Sequence, residues 1–207
     1  MESFRAFFPP ISEDQWQLLN AYSDVLTFWN EKINLVSRKD IAFVKEKHIL
    51  PVLPAINMLC FNENDCVLDV GTGGGIPGVP LAILYPKLRF TLLDSIQKKV
   101  KAVKDMVEVL QLENVEVVCD RLENISAKFD IIVGRGVVNF ETFVKWVSLN
   151  MRSAKSNVVY WTGGEITLSS SIRQFTQSFD LELFFNQRFC LSKKILCYSK
   201  NLRKICI

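Results

Sequence analysis

The chain has 207 residues, 49% of them hydrophobic and 23% charged, which excludes a disordered polypeptide and suits one main α/β core with a modest extra element. Twenty-five Lys and Arg against 22 Asp and Glu leave a net charge of +3, too mild by itself to imply a polyanionic partner. A lone histidine and six cysteines without a C-x-x-C pair argue against a structural metal and a disulfide framework. No apolar run reaches membrane-spanning length, so a reducing, cytoplasmic setting without membrane insertion is expected.

In chain order, Ser12 followed by Gln15 resembles a capping box. Trp16, Leu19, Tyr22, Leu26, Trp29 and Ile33 then recur at three- and four-residue steps and predict an amphipathic helix over Glu13–Lys32. A further helix is expected over Asp40–Glu46, and another over Ile49–Leu59 despite Pro51 and Pro54, so that residues 1–60 form an N-terminal helical cap. From residue 61 to 207 the pattern alternates between strand and helix, the mark of a mostly parallel, doubly wound sheet covered on both faces. Strands are predicted at Cys66–Val70, Arg89–Asp94, Val115–Cys119, Asp130–Gly134 and Asn157–Thr162. Helices are predicted at Pro77–Tyr85, Gln97–Leu112, Glu141–Met151 and Glu165–Phe179. Leu181–Asn186 and Lys194–Ser199 have no helix between them and should close the sheet as a C-terminal antiparallel hairpin. The cysteines fall mostly in apolar runs and are expected to be small buried hydrophobes.

The stretch VLDVGTGGGIPG, Val67–Gly78, is the centre of this arrangement. A short apolar run ends at Asp69 and breaks into Gly71, Gly73, Gly74, Gly75 and Gly78, with Pro77 where a helix can begin: a strand, a tight turn and a helix start. Glycines let a flat or charged cofactor approach the main chain and face the free N–H groups of a helix N-terminus. Two registers are possible. Asp69-x-Gly71-x-Gly73-x-Gly75 is the form associated with S-adenosylmethionine enzymes, and Gly73-x-Gly75-x-x-Gly78 formally satisfies the dinucleotide fingerprint of an NAD-dependent oxidoreductase. The acid two places before the first glycine suits a donor whose methionine part carries a cationic amine. Length favours the same side, because little chain remains for a dehydrogenase's catalytic domain.

Ligands of open α/β sheets bind beyond the carboxyl ends of the strands. Asp94, about twenty residues after the turn, is placed to accept ribose hydroxyls. Leu122 and Glu123 follow the third strand, where they can flank a purine, and Arg135 follows the fourth. Lys98, Lys99, Lys101 and Lys104, with Arg38, Lys39, Lys45, Lys47 and the basic tail after Leu183, are either a solvated face or a track for RNA phosphates.

Several segments together resemble one family. They are Trp29-Asn30 with Asn34-Leu35 and Ser37, Lys47-His48-Ile49-Leu50, Asp69-Val70-Gly71-Thr72-Gly73 through Ile76-Pro77-Gly78, Leu92-Leu93-Asp94-Ser95 with Lys98 to Lys101, Leu112-Glu113-Asn114, and Arg135. Over nearly its whole length the chain is similar to the small-subunit ribosomal RNA guanine-N7 methyltransferases, the RsmG or GidB family. The resemblance implies a class I methyltransferase with a Rossmann-like fold, S-adenosyl-L-methionine as donor, and methylation of N7 of a guanine in the decoding-region loop of 16S rRNA, free or in the small ribosomal subunit. By the same resemblance the donor positions fall on Gly71, Ile76, Leu122, Glu123 and Arg135, with Asp94 at the ribose. Asp69, Gly73 and Gly75 complete the turn, Arg135 and His48 are candidates for positioning the reaction, and a monomer without metal is expected. Two departures stand out: Pro51-Val52 where family members commonly carry Asp-Ser, and Thr162-Gly163 where they commonly carry Lys-Gly. They leave open a catalytically weakened rRNA-binding protein.

The chemistry agrees with what is missing. Guanine N7 has an in-plane lone pair and no hydrogen, so it can attack a sulfonium methyl without a general base, and catalysis reduces to alignment in a dry pocket. The fourth strand ends in Gly-Arg-Gly, without the Asn- or Asp-Pro-Pro-aromatic motif usual for exocyclic amines, and no Pro-Cys nucleophile is present.

Overall fold

Ser12 and Gln15 exchange hydrogen bonds at the start of α1 (Glu13–Lys32): Gln15 N donates to Ser12 Oγ at 3.3 Å and Ser12 N to Gln15 Oε1 at 3.0 Å. Two donors that the helix leaves free are thereby satisfied. The computed structural model describes residues 8, 10–58, 61–184 and 193–200. After α1 the chain does not form the two expected helices. It runs through a 3₁₀ turn at Ile41–Phe43, a π-type turn at Lys45–Ile49, a second 3₁₀ turn at Leu50–Val52 and the short α2 (Ala55–Met58). Pro51 and Pro54 lack the N–H groups that a continuous α-helix requires, which accounts for the break in the second of the two, over Ile49–Leu53.

The sheet contains β1 (Cys66–Val70), β2 (Arg89–Asp94), β3 (Val115–Cys119), β4 (Ile131–Arg135), β5 (Asn157–Gly163), β6 (Thr176–Asp180) and β7 (Lys193–Tyr198). Their order is β3-β2-β1-β4-β5-β7-β6; the first five are parallel, and β7 is antiparallel to both of its neighbours. The crossovers contain α3 (Gly78–Leu84), α4 (Gln97–Val109) and α5 (Phe140–Val147), each within a few residues of its predicted bounds. The order of the strands reverses between β1 and β4, which opens a crevice at their carboxyl ends.

The last third differs from the sequence pattern. The helix expected over Glu165–Phe179 shrinks to α6 (Ser170–Arg173), and Thr176–Asp180 becomes the edge strand that pairs with β7. Ser169, Ser170 and Ser171 favour a helix start over a helix interior, and the backbone ladder offered by β7 decides the rest. Leu181–Leu183, expected to be in the hairpin, is a 3₁₀ turn. Residues 185 and 186, and Leu59, lie outside the described residues.

Alternation along each strand sends side chains to two apolar layers. Val67, Leu92 and Val133 pack with Trp16, Leu19, Tyr22 and Leu26 of α1 and with α3 and α4. Leu68, Leu93 and Ile132 pack with Phe143 and Val144 of α5 and Ile172 of α6. The N-terminal helical segment therefore shares one core with a sheet face. The Gln15 amide group reinforces the contact by donating to Ile83 O at 2.9 Å and Leu84 O at 3.0 Å at the end of α3. Cys197 is buried as expected; Cys119 is exposed, at the edge strand β3, and Cys60, Cys190 and Cys206 lie outside the described residues. No helix among the described residues is long and apolar enough to cross a membrane.

Candidate active site

The glycine turn leaves β1 at the switch point. Gly71, Gly73 and Gly75 have φ of +70°, +60° and +94°, a region that side chains disfavour. The N–H groups of Gly71 and Thr72 both donate to Leu93 O, at 2.8 and 2.9 Å, which ties the turn to the end of β2. Asp94 closes the tie: Oδ2 accepts from Gly73 N at 3.0 Å and Oδ1 from Ile96 N at 2.9 Å. Asp69 lies beneath, fully buried, with Oδ2 accepting from Thr72 Oγ1 at 2.6 Å and from Gly78 N at 3.0 Å. Burial pushes its carboxyl up to about 7, against those two hydrogen bonds and the nearby Arg135. Its Oδ1 is buried without a partner among the described residues. From α1, Tyr22 Oη donates to Gly74 O at 2.8 Å, so the helical segment also holds the turn.

Two cavities meet at this point. The first, about 360 Å³, is lined by Val70 and Gly71 of the turn, Asp94 and Ser95 after β2, Leu122 and Glu123 after β3, Arg135, Gly136 and Val137 after β4, and Lys99, Asp120, Arg121 and Trp146. The second, about 470 Å³, lies between β4, β5, β7 and the Asp40–Pro51 segment and includes His48, Tyr160, Trp161 and Lys193. Arg135 and Gly136 belong to both. Arg135 is held from the side of the helical segment: Nη1 donates to His48 O at 3.2 Å and Nη2 to His48 Nδ1. With Nδ1 accepting, the imidazole proton resides on Nε2. Burial first, then Arg135, pushes the His48 pKa down to about 3, so the ring is neutral at ordinary pH.

Of the residues singled out in the sequence, Gly71, Asp94, Leu122, Glu123 and Arg135 come together around the first cavity. Asp69, Gly73, Gly75 and Ile76 do not line it; they shape the turn from below. Gly75 is packed so closely that a Cβ there would meet Val79 Cγ2 at 2.7 Å. Sequence reasoning missed Trp146, whose Nε1 donates to Glu123 Oε1 at 3.0 Å, and Val137, which packs over Gly71. It also missed Tyr160 and Trp161, which lie inside β5 and not after its end, where the strand-end rule looks. Lys193 was singled out only as part of the basic tail; its place in this cavity comes from the antiparallel return of β7. The two departures from the family pattern, Pro51 and Thr162, line this same second cavity. Pro51 O accepts from Trp161 Nε1 at 2.9 Å, and Lys193, opposite Gly163 on β7, brings a cation to the wall where Thr162 has none.

The first cavity fits an adenosyl-methionine donor on two observations. Its volume lies in the ordinary range for small-molecule sites, about 300–1,000 Å³. Its floor is a glycine where any Cβ would lie 2.8 Å from Val137 Cγ2. Sheet order, switch-point crevice and glycine turn define a class I S-adenosylmethionine-dependent methyltransferase. Solved structures similar to this chain share the fold. A mutant of MtNAS in complex with S-adenosylmethionine aligns with a TM-score of 0.57 at 11% identity, covering 89% of this chain and 76% of that one. A dimethyladenosine transferase from Plasmodium falciparum aligns with a TM-score of 0.50 at 15% identity, covering 73% and 60%. The family model described as rRNA small subunit methyltransferase G matches residues 15–187, and the chain belongs to that family. Relatives named ribosomal RNA small subunit methyltransferase G include those of Christiangramia forsetii, 37% identical with 95% of each chain covered, and Flavobacterium johnsoniae, 38% identical with 95% of this chain and 96% of the other covered.

Proposed function

We propose that this chain methylates N7 of a guanine in the decoding-region loop of 16S rRNA, in the cytoplasm and as a monomer. The observation that carries the reading is the pair of cavities sharing Arg135 and Gly136, one suited to the donor and the other to a base. When bound, S-adenosylmethionine supplies an electrophilic methyl on sulfur. In this reading Gly71 lets the donor lie against the backbone, Asp94 offers its remaining lone pairs to the ribose, and Leu122 and Glu123 flank the adenine. Arg135, half-buried and tethered to neutral His48, fixes the wall between donor and base and moves no proton. His48 acts as its positioner. The nucleophile needs no deprotonation, so the chain's task is alignment and exclusion of water. Exposed Lys98, Lys101 and Lys104 on α4 and Arg38 and Lys39 beside the second cavity supply a surface for rRNA phosphates, which makes binding sensitive to salt.

The test is incubation with labelled donor and small ribosomal subunits lacking the modification, followed by mapping N7-methylguanine through chemical strand cleavage. Label at a single decoding-region guanine is expected. Label on an exocyclic amine, or none, sinks the reading.

A further inference from the structure

The second cavity has an uneven charge pattern. Among the described residues that line it, Asp40 is the one carboxylate, set among Lys47, His48, Arg135 and Lys193. Its geometry is fixed: Lys47 Nζ donates to Asp40 Oδ1, and Ser37 Oγ donates to Oδ2 at 2.8 Å. A carboxylate has about four lone-pair positions, so each oxygen keeps at least one to offer. His48 Nε2 lies 3.8 Å from Asp40 Oδ2, while its Nδ1 is on Arg135, the residue shared with the donor cavity. Arg135, His48 and Asp40 thus run in a line from the donor side toward the far side of the cavity.

A purine presented with N7 toward the donor turns its Watson–Crick edge away from it. On guanine that edge reads O6, N1–H and N2–H₂: acceptor, donor, donor. Its complement is a donor beside two acceptors, which is what an ammonium joined to a carboxylate provides. We propose that the Asp40–Lys47 pair reads the Watson–Crick edge of a guanine taken out of its stack, Lys47 meeting O6 and Asp40 meeting N1–H and the 2-amino group. This rests on the guanine-N7 reading above. Adenine is refused by the same pair, because its amino group would face the ammonium and its N1 lone pair the carboxylate. Enzymes that act on a base commonly extrude it and read this edge. Lys47 first, then Ser37, holds the Asp40 carboxyl down at about 2, so it remains an acceptor throughout the working pH range.

The test compares guanosine with inosine, which lacks only the 2-amino group, at the target position of ligated 16S rRNA reconstituted into small subunits. The enzyme is expected to prefer guanosine in kcat/KM by roughly 10- to 150-fold, the worth of the single hydrogen bond to a charged group that inosine cannot make. Asp40→Ala, which removes the partner of both N1–H and the 2-amino group, should lose guanosine methylation by at least that factor and treat both substrates alike. Lys47→Met should slow both equally and keep the preference, because inosine retains O6. Unchanged S-adenosylhomocysteine binding checks that each variant is folded, and Asp40→Asn, nearly isosteric, is expected to repeat the loss of preference if Asp40→Ala fails that check. Equal methylation of both substrates by the unaltered enzyme, or a wild-type preference in the Asp40 variants, overturns the proposal. Failure of the N7 reading itself appears separately, as no methylation of the guanosine subunits by the unaltered enzyme.

Discussion

Replacing Gly71 by alanine tests the turn at its most constrained point. Gly71 has φ of +70°, and a Cβ added there would stand 2.8 Å from Val137 Cγ2 and 3.4 Å from Cγ1. Left-handed backbone costs an L-residue about 1–2 kcal/mol. Forcing a methyl group against packed neighbours costs typically about 1–3 kcal/mol, less where the neighbour can yield. Val137 is only half-buried, so the lower part of that range applies, and the total is about 2–4 kcal/mol. For a chain of this size that corresponds to a fall in Tm of roughly 5–15 °C. Because Gly71 also lines the donor cavity, calorimetry with S-adenosylhomocysteine should register at least a tenfold loss of affinity, about 1.4 kcal/mol. The two costs separate in a double-mutant cycle. Val137→Ala removes both γ-carbons from the clash but leaves the strained φ, so the double variant should recover the steric part and no more. A Gly71→Ala protein that melts and binds like the parent would refute the argument that the turn is held in a left-handed conformation. No recovery in the double variant would refute the clash with Val137.

Two pH effects follow from the buried groups. His48 is the chain's single histidine, and its folded pKa of about 3 lies below the ordinary 6.5 of an imidazole; its share of stability is therefore present above 6.5 and is lost as pH falls toward 3. NMR of the one imidazole should show no titration between pH 5 and 8, and an inflection near 6.5 would contradict its burial against Arg135. Asp69 is shifted the other way, from 3.8 to about 7, so its contribution is fully present below 3.8 and is lost as pH rises through 7. In Asp69→Asn that dependence disappears: the stability difference between parent and variant, from denaturant midpoints, should move in the parent's favour as pH is lowered from 7 to 4. A difference that is flat with pH would mean that Asp69 is ionised throughout.

The parallel part of the fold was legible because each unit carries its own local signal. Cys66–Val70, Arg89–Asp94 and Val115–Cys119 match their predicted bounds, and Ser12 with Gln15 located the start of α1 to the residue. The failures share a cause. Between Asp40 and Met58 the apolar spacing suits helices, but two prolines deny the hydrogen bonds, and packing against the sheet selects tight turns. Around Thr176–Asp180 the spacing again allowed a helix, and the partner that makes it a strand, β7, is remote in sequence. The site divides along the same line. Gly71, Asp94, Leu122, Glu123 and Arg135 were placed at strand ends from the chain alone and line one cavity, whereas Asp40, Trp161 and Lys193 come together only once the N-terminal segment and the antiparallel return are folded onto β5.

The charges around Arg135 then acquire a reason. In the proposed reaction, moving a methyl from sulfonium to N7 carries positive charge across the wall between the cavities without creating or destroying any, so the site would need a constant field more than an acid or a base. A half-buried guanidinium there loses part of its hydration, and its pKa is lowered by that desolvation. Asp69 on the donor side and Asp40 on the base side offset this, and neutral His48 takes up its N–H groups without adding charge. A protonated imidazole in the same place would set a second cation against both Arg135 and the methylated base. The depressed pKa of His48 is thus what allows an arginine to stand between a cationic donor and a base that becomes cationic.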